Sequence, residues 1–161
     1  MKVNKNFEYC IGFILKHEGG YVDDPTDKGG ETNYGISKRA YPSVDIKGLT
    51  LEGAKEIYKR DYWDKGHCEK LPEEIRYIHF DGCINHGISR AVKILQKASG
   101  CKYIDGLFGP ETTAKSKSVS IELYALHRLY FYCEIVRRNN SQAKFIGGWK
   151  NRIKDIVKLN C

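Results

Sequence analysis

No run of eighteen or more apolar residues occurs anywhere in this 161-residue chain, so the sequence offers no membrane span. There is no C-x-x-C pair. The six cysteines are scattered, and with no export signal ahead of them they read as reduced thiols rather than a disulfide framework. No Pro/Ser-rich or low-complexity tract marks a flexible boundary. Helix-turn-helix, RNA-binding and phosphate-cradling motifs are also missing, so nucleic acid is not an expected partner even at a net charge of +7. The lysines are spread along the chain. That excess serves solubility, or attraction to an anionic surface such as a bacterial cell envelope.

Residues 1–15 place lysines before an apolar stretch, as a secretory signal does, but Glu8 interrupts the stretch and no small-residue cleavage site follows. The segment reads as the first helix of the fold. The expected location is therefore the cytoplasm until release or export to the cell wall or periplasm. His79, Asp81, Cys83 and His86 crowd together, yet such clusters are mostly packing and hydrogen bonding, so no metal and no cofactor is expected.

What is present describes a globular domain. Hydrophobic residues make up 41% of the chain and charged ones 29%, and the length suffices for a core without disulfides. Phe7, Ile11, Ile14 and Glu18 recur at i, i+4, i+7 and i+11, which sets all four on one helical face. Beyond Gly19-Gly20 comes an irregular stretch. Thr32, Tyr34 and Ile36 then alternate as in a short strand, which predicts a small hairpin or extended loop near residues 26–36. Thr50 reads as the N-cap of a helix running to about Trp63, with Leu51, Ala54, Ile57, Tyr58 and Tyr62 inward. Pro72-Glu-Glu starts another helix, whose stripe is Ile75, Ile78, His79, Gly82 and Cys83, and Gly87 ends it. Ser89 is the expected cap of the next, with Ala91, Val92, Ile94, Leu95 and Ala98 inward. A turn at 105–110 leads to a short helix, followed by helices over about 119–138 and 143–159. The prediction is a mainly α single domain, 1–161, without β-structure elsewhere.

Glu18 extends an apolar stripe. A carboxylate at the edge of a core is partly desolvated, which raises its pKa and suits it to donate a proton. Asp23, Asp24, Asp27 and Glu31 follow the Gly-Gly turn, where carboxylates stay solvated and ionised. Two acids in contrasting surroundings are what glycosidic-bond hydrolysis uses. Calcium binding is the competing use of an acidic, glycine-rich loop, but the EF-hand spacing is absent.

The run Glu18-Gly-Gly-Tyr-Val-x-x-Pro-x-Asp-x-Gly-Gly-x-Thr-x-x-Gly-Ile36 resembles the N-terminal signature of glycoside hydrolase family 108, the N-acetylmuramidases of phage endolysins and related bacterial proteins. The resemblance makes Glu18 the catalytic acid. The stretch is also similar in outline to phage-type lysozymes, and there Asp27 and Thr32 match the second and third active-site positions, with the Asp-to-Thr spacing one residue shorter. Further along, Phe80-Asp-Gly-Cys-Ile-Asn-His-Gly87, Asp105-Gly-Leu-Phe-Gly-Pro-Glu-Thr112 and Phe145-Ile-Gly-Gly-Trp-Lys-Asn-Arg152 resemble the family's peptidoglycan-associated region. The matched regions are about 5–95 and about 96–160.

The resemblance implies a lysozyme-like helical fold and a bacteriolytic muramidase that cleaves the β-1,4 bond between N-acetylmuramic acid and N-acetylglucosamine. Tyr21, Tyr34, Asp81 and Asn85 are the candidate substrate-binding residues. Asp81 and Asn85 serve equally well in tying loops together, and Trp149 reads as core packing rather than sugar-binding wall. The expected partners are the peptidoglycan strand and the anionic envelope, with no stable membrane insertion, and the chain is expected to act as a monomer. A lytic transglycosylase and a non-catalytic peptidoglycan-binding or secretion-accessory protein are the rival readings.

Overall fold

The structure, a computed structural model, describes residues 6–17, 20–23 and 30–159. Helix α1 spans Phe7–His17 and buries Phe7, Ile11 and Ile14, as the spacing predicts. Full burial of such side chains contributes roughly 1.5–3 kcal/mol each. Strands β1 (Thr32–Asn33) and β2 (Ile36–Ser37) form an antiparallel hairpin with Asn33 opposite Ile36. Tyr34 therefore lies in the turn and not in a strand. With Gly35 it takes positive φ, at 50° and 76°, the two-residue turn whose twist matches a hairpin. The buried positions are Asn33 and Ile36.

Helix α2 (Leu51–Tyr58) starts where the sequence suggests, with the Thr50 hydroxyl accepting from Gly53 N at 3.1 Å. Ala54, Ile57 and Tyr58 face the core, whereas Leu51 is 42% exposed in the first turn and does not. The helix widens into a π-helical turn over Lys59–Asp64, which carries the buried Trp63. A 3₁₀ turn at Cys68–Lys70 then leads to α3, Glu73–His86.

Helix α3 is the axis of the molecule. Residues Tyr77 to Cys83 are buried without interruption, so side chains all around it meet protein, and α1, α4, α6 and α7 pack against it. Helix α4 (Ile88–Ala98) is capped by Gly87 rather than Ser89, which lies inside its first turn; the inward residues are those expected. Helix α5 (Pro110–Ser116) begins with its proline. The turn before it closes on Gln96, whose Nε2 donates to Asp105 Oδ1 at 2.8 Å and to the Leu107 carbonyl at 3.0 Å. Gln96 Oε1 in turn accepts from Gly106 N at 2.9 Å. Helices α6 (Ile121–Arg138) and α7 (Ile146–Lys158) complete the fold, joined by a 3₁₀ turn. No described helix is long and apolar enough to cross a membrane.

One polar network fastens α6 and α7 to α3. Arg128 of α6 is fully buried and pairs with Asp81 Oδ2. Arg152 of α7 donates from Nε to Asp81 Oδ1 at 2.8 Å. Arg128 also donates to the Ile78 carbonyl at 3.3 Å, to His86 Nε2 at 3.1 Å and to Tyr132 Oη at 3.4 Å. A donor aimed at Nε2 requires a lone pair there, so His86 is neutral. Burial, then the Arg128 charge, push its pKa down to about 4.

Arg128→Met strands part of a buried carboxylate and is expected to destabilise the fold by about 3–5 kcal/mol; a urea-denaturation loss below about 1 kcal/mol would refute the network's role. His86 has a folded pKa below its ordinary 6.5, so the unfolded state binds the extra proton. Stability should hold above pH 6.5 and fall toward about pH 4, by on the order of 3 kcal/mol in all. His86→Gln should flatten that part of the profile, and an unchanged slope would show that another group is responsible.

Candidate functional site

The described residues on either side of the acidic motif meet at the hairpin. Val22 N donates to the Thr32 carbonyl and Thr32 N to the Val22 carbonyl, both at 2.8 Å, which lays residues 20–23 against β1. The hairpin is in turn held from α2 and the loop before it. Tyr58 Oη donates to the Tyr34 carbonyl at 2.9 Å, while Asn33 Nδ2 donates to the carbonyls of Ile46 at 3.1 Å and Leu49 at 3.3 Å. Each bond satisfies an otherwise buried polar group and fixes where the turn sits.

Glu18 and Asp27, the expected acid and its partner, lie outside the described residues. Thr32 is half-buried, and among the described residues its hydroxyl makes a long 3.5 Å contact with the Gly30 carbonyl. Tyr21 is 40% exposed. Desolvation, then the carboxylates of Glu31, Asp23 and Asp45, raise its pKa. Tyr21 therefore marks an acidic neighbourhood at the hairpin edge. Tyr34 is half-buried at the turn. Tyr21, Thr32 and Tyr34 thus gather on one structural unit.

Asp81 and Asn85 do not act as a pair. Asp81 is 1% exposed and both its oxygens are engaged by arginines, so it has no surface to offer a glycan. The expectation that it lines a cleft is corrected: it is a structural ion-pair residue. Asn85 is exposed, donates from Nδ2 to the Asp81 carbonyl at 2.8 Å, and lines a hollow of about 430 Å³ with Arg90, Trp149 and Arg152. Trp149 stacks on Tyr132 at 4.6 Å and 15°, half-buried, so it both packs and forms a wall.

A second hollow, of about 530 Å³, shares Arg90, Phe131 and Ile135 with the first, so the two adjoin along α6. Helix α4 lines it with Arg90, Lys93 and Lys97, and α6 with Tyr130, Glu134 and Arg138. Tyr130 is 57% exposed. The Glu134 carboxylate is held by Arg137 at 3.0 and 3.1 Å, so the trough is cationic with an aromatic floor. Sequence reasoning missed this feature. Its signal was there: cations at i, i+3 and i+7 on α4, and Tyr130, Glu134 and Arg138 at i, i+4 and i+8 on α6.

Comparison with known proteins bears on both regions. Residues 11–87 match the family model described as Glycosyl hydrolase 108, and residues 90–154 match a Predicted Peptidoglycan domain. No curated protein sequence matches the chain. Among solved structures, that of Brucella abortus SagA is similar at 30% identity over 96% of this chain and 92% of that one, with a TM-score of 0.79. The first match spans Glu18, Asp27 and the hairpin; the second spans the cationic trough. This chain belongs to the glycosyl hydrolase 108 family, as a glycoside hydrolase with a lysozyme-like helical fold and peptidoglycan as its partner.

Proposed function

We propose that the protein is a muramidase that hydrolyses the β-1,4 bond between N-acetylmuramic acid and N-acetylglucosamine. The observation that carries this reading is the buried face of α1, where Phe7, Ile11 and Ile14 all point into the core; in the sequence Glu18 comes next at the same helical spacing, inside the family motif. On that reading Glu18 protonates the leaving oxygen, because partial desolvation keeps its proton near neutral pH. Asp27, aided by Thr32, stabilises the oxocarbenium-like state or positions water. Tyr21 and Tyr34 offer aromatic faces to the sugar rings beside it.

The trough between α4 and α6 supports a division of labour. Peptide stems of peptidoglycan carry free carboxylates, and a groove of exposed Arg90, Lys93, Lys97 and Arg138 complements them. Tyr130 supplies an apolar surface for the stem's carbon skeleton. On this reading the trough holds the wall while the hairpin side of the molecule does the chemistry.

Two outcomes test these readings. Wild type should clear purified peptidoglycan and release fragments with hydrated reducing ends, while folded Glu18→Gln should lose roughly 10²–10⁴-fold in rate and Asp27→Asn a smaller factor. Anhydro ends by mass spectrometry would instead identify a lytic transglycosylase, and retained binding without any release a non-catalytic binder. For the trough, the triple charge reversal Arg90→Glu, Lys93→Glu and Lys97→Glu should weaken binding to intact walls about ten-fold and reduce its salt dependence. Turnover of a short soluble glycan should not change. Wall affinity equal to wild type would exclude the trough.

A further inference from the structure

The crowded segment 79–86 divides into two clusters. Asp81 and His86 belong to the Arg128 network. His79 and Cys83, one turn apart on α3, instead meet Cys68 from the 3₁₀ turn that precedes it. One ligand atom from each of these three lies within 4.8 Å of the other two, and all three residues are 0% exposed. We propose that Cys68, His79 and Cys83 form a structural site for a thiophilic divalent cation of tetrahedral preference, zinc being the ion that best fits two thiolates and an imidazole.

The chemistry of the donor set favours this occupant. Two thiolates and a neutral imidazole around a divalent ion sum to zero charge, which is the condition for burial without a large penalty. Loading balances simply: the ion enters, two S–metal bonds and one N–metal bond form, and the thiol protons leave to solvent. Soft sulfur ligands exclude magnesium and calcium, which take oxygen.

The surroundings of the ring are already those of a ligand. His79 Nδ1 lies 2.6 Å from Tyr124 Oη, and Nε2 lies 3.0 Å from the Gly66 carbonyl. Whichever nitrogen binds the ion, an oxygen stands at the other to accept its N–H, the arrangement that fixes a metal-bound histidine. Tyr124 can accept because its own proton has a second acceptor, the Ala91 carbonyl at 3.2 Å. The Gly66 carbonyl also offers an oxygen for a fourth position when Nδ1 carries the N–H.

The chain wraps tightly here. A Cβ at Gly66 would lie 2.8 Å from Cys83 Sγ and would also strike the Tyr62 carbonyl, so only glycine lets the turn close over the sulfurs. His67 beside it takes φ 55°. In the described structure the Cys68 and Cys83 thiols are hydrogen-bonded to each other. The ion would replace these bonds with stronger ones and clamp the turn over residues 62–68 onto α3.

The test uses the full chain without a histidine tag, reduced and stripped of metal. Cobalt(II) is titrated in, and thiolate-to-cobalt charge-transfer absorption is recorded alongside elemental analysis of protein as first purified. One equivalent of cobalt should produce the charge-transfer band, and zinc should displace it. Cys68→Ser and Cys83→Ser should lose the band, while Cys133→Ser, an exposed thiol, should keep it. Should either serine variant fail to fold, the thermal midpoint of wild type decides: it should rise with zinc and fall back with a chelator. A folded, reduced chain that takes up no cobalt, or whose midpoint ignores zinc, overturns the proposal. So does a chain lighter by two hydrogens with Cys68 and Cys83 joined, since the pair would then be a disulfide.

Discussion

A single carboxylate in the middle of the central helix organises the described structure. Asp81 is taken out of water completely, and a buried charge is tolerable only when paired and hydrogen-bonded. Arg128 and Arg152 meet that demand from two different helices, so α6 and α7 have one register and one rotation that satisfy it. Apolar packing alone tolerates sliding, but a planar guanidinium meeting a carboxylate does not. The hollows along α6 inherit their shape from this constraint, because Arg152, His86 and Tyr132 belong both to the network and to the wall of the smaller hollow.

On the proposed reading, the molecule places catalysis and wall binding on different supports. The hairpin that follows the acidic motif in sequence is held by the Tyr58 hydroxyl of α2 and by Asn33 donating to carbonyls of the loop before α2. The cationic trough is carved between long helices locked by ion pairs. On that reading the separation suits a hydrolase acting on an insoluble polymer, since holding the wall and bending a sugar toward its transition state impose different geometric requirements.

Sequence periodicity read the apolar framework well because it depends on local spacing. Phe7, Ile11 and Ile14 on α1, and the stripes of α3 and α4, follow from the helical repeat alone. The departures have tertiary causes. Leu51 has the right phase but sits at an exposed helix start. Tyr34 fits an alternating pattern, yet Gly35 and the Tyr58 hydroxyl draw it into a turn. Ser89 is a good capping residue, but Gly87 supplies the break two residues earlier. Asp81 could not be assigned from sequence because Arg128 and Arg152 lie 47 and 71 residues away. For the same reason the trough, which exists only where α4 meets α6, was visible as charge but not as shape. Glu18 and Asp27 rest on the motif itself.

The anchoring of the hairpin sets the natural unit of exchange for this fold. Two strands of two residues have too few ladder bonds to persist in isolation. Their position is supplied by Asn33 reaching the carbonyls of Ile46 and Leu49, and by Tyr58 reaching back to Tyr34. A chimera that grafts only the motif and hairpin from a relative would leave these bonds without their counterparts. The transferable cassette runs from the end of α1 to Tyr58, so that the motif, the hairpin and the whole of α2 that supports it move as one inherited block.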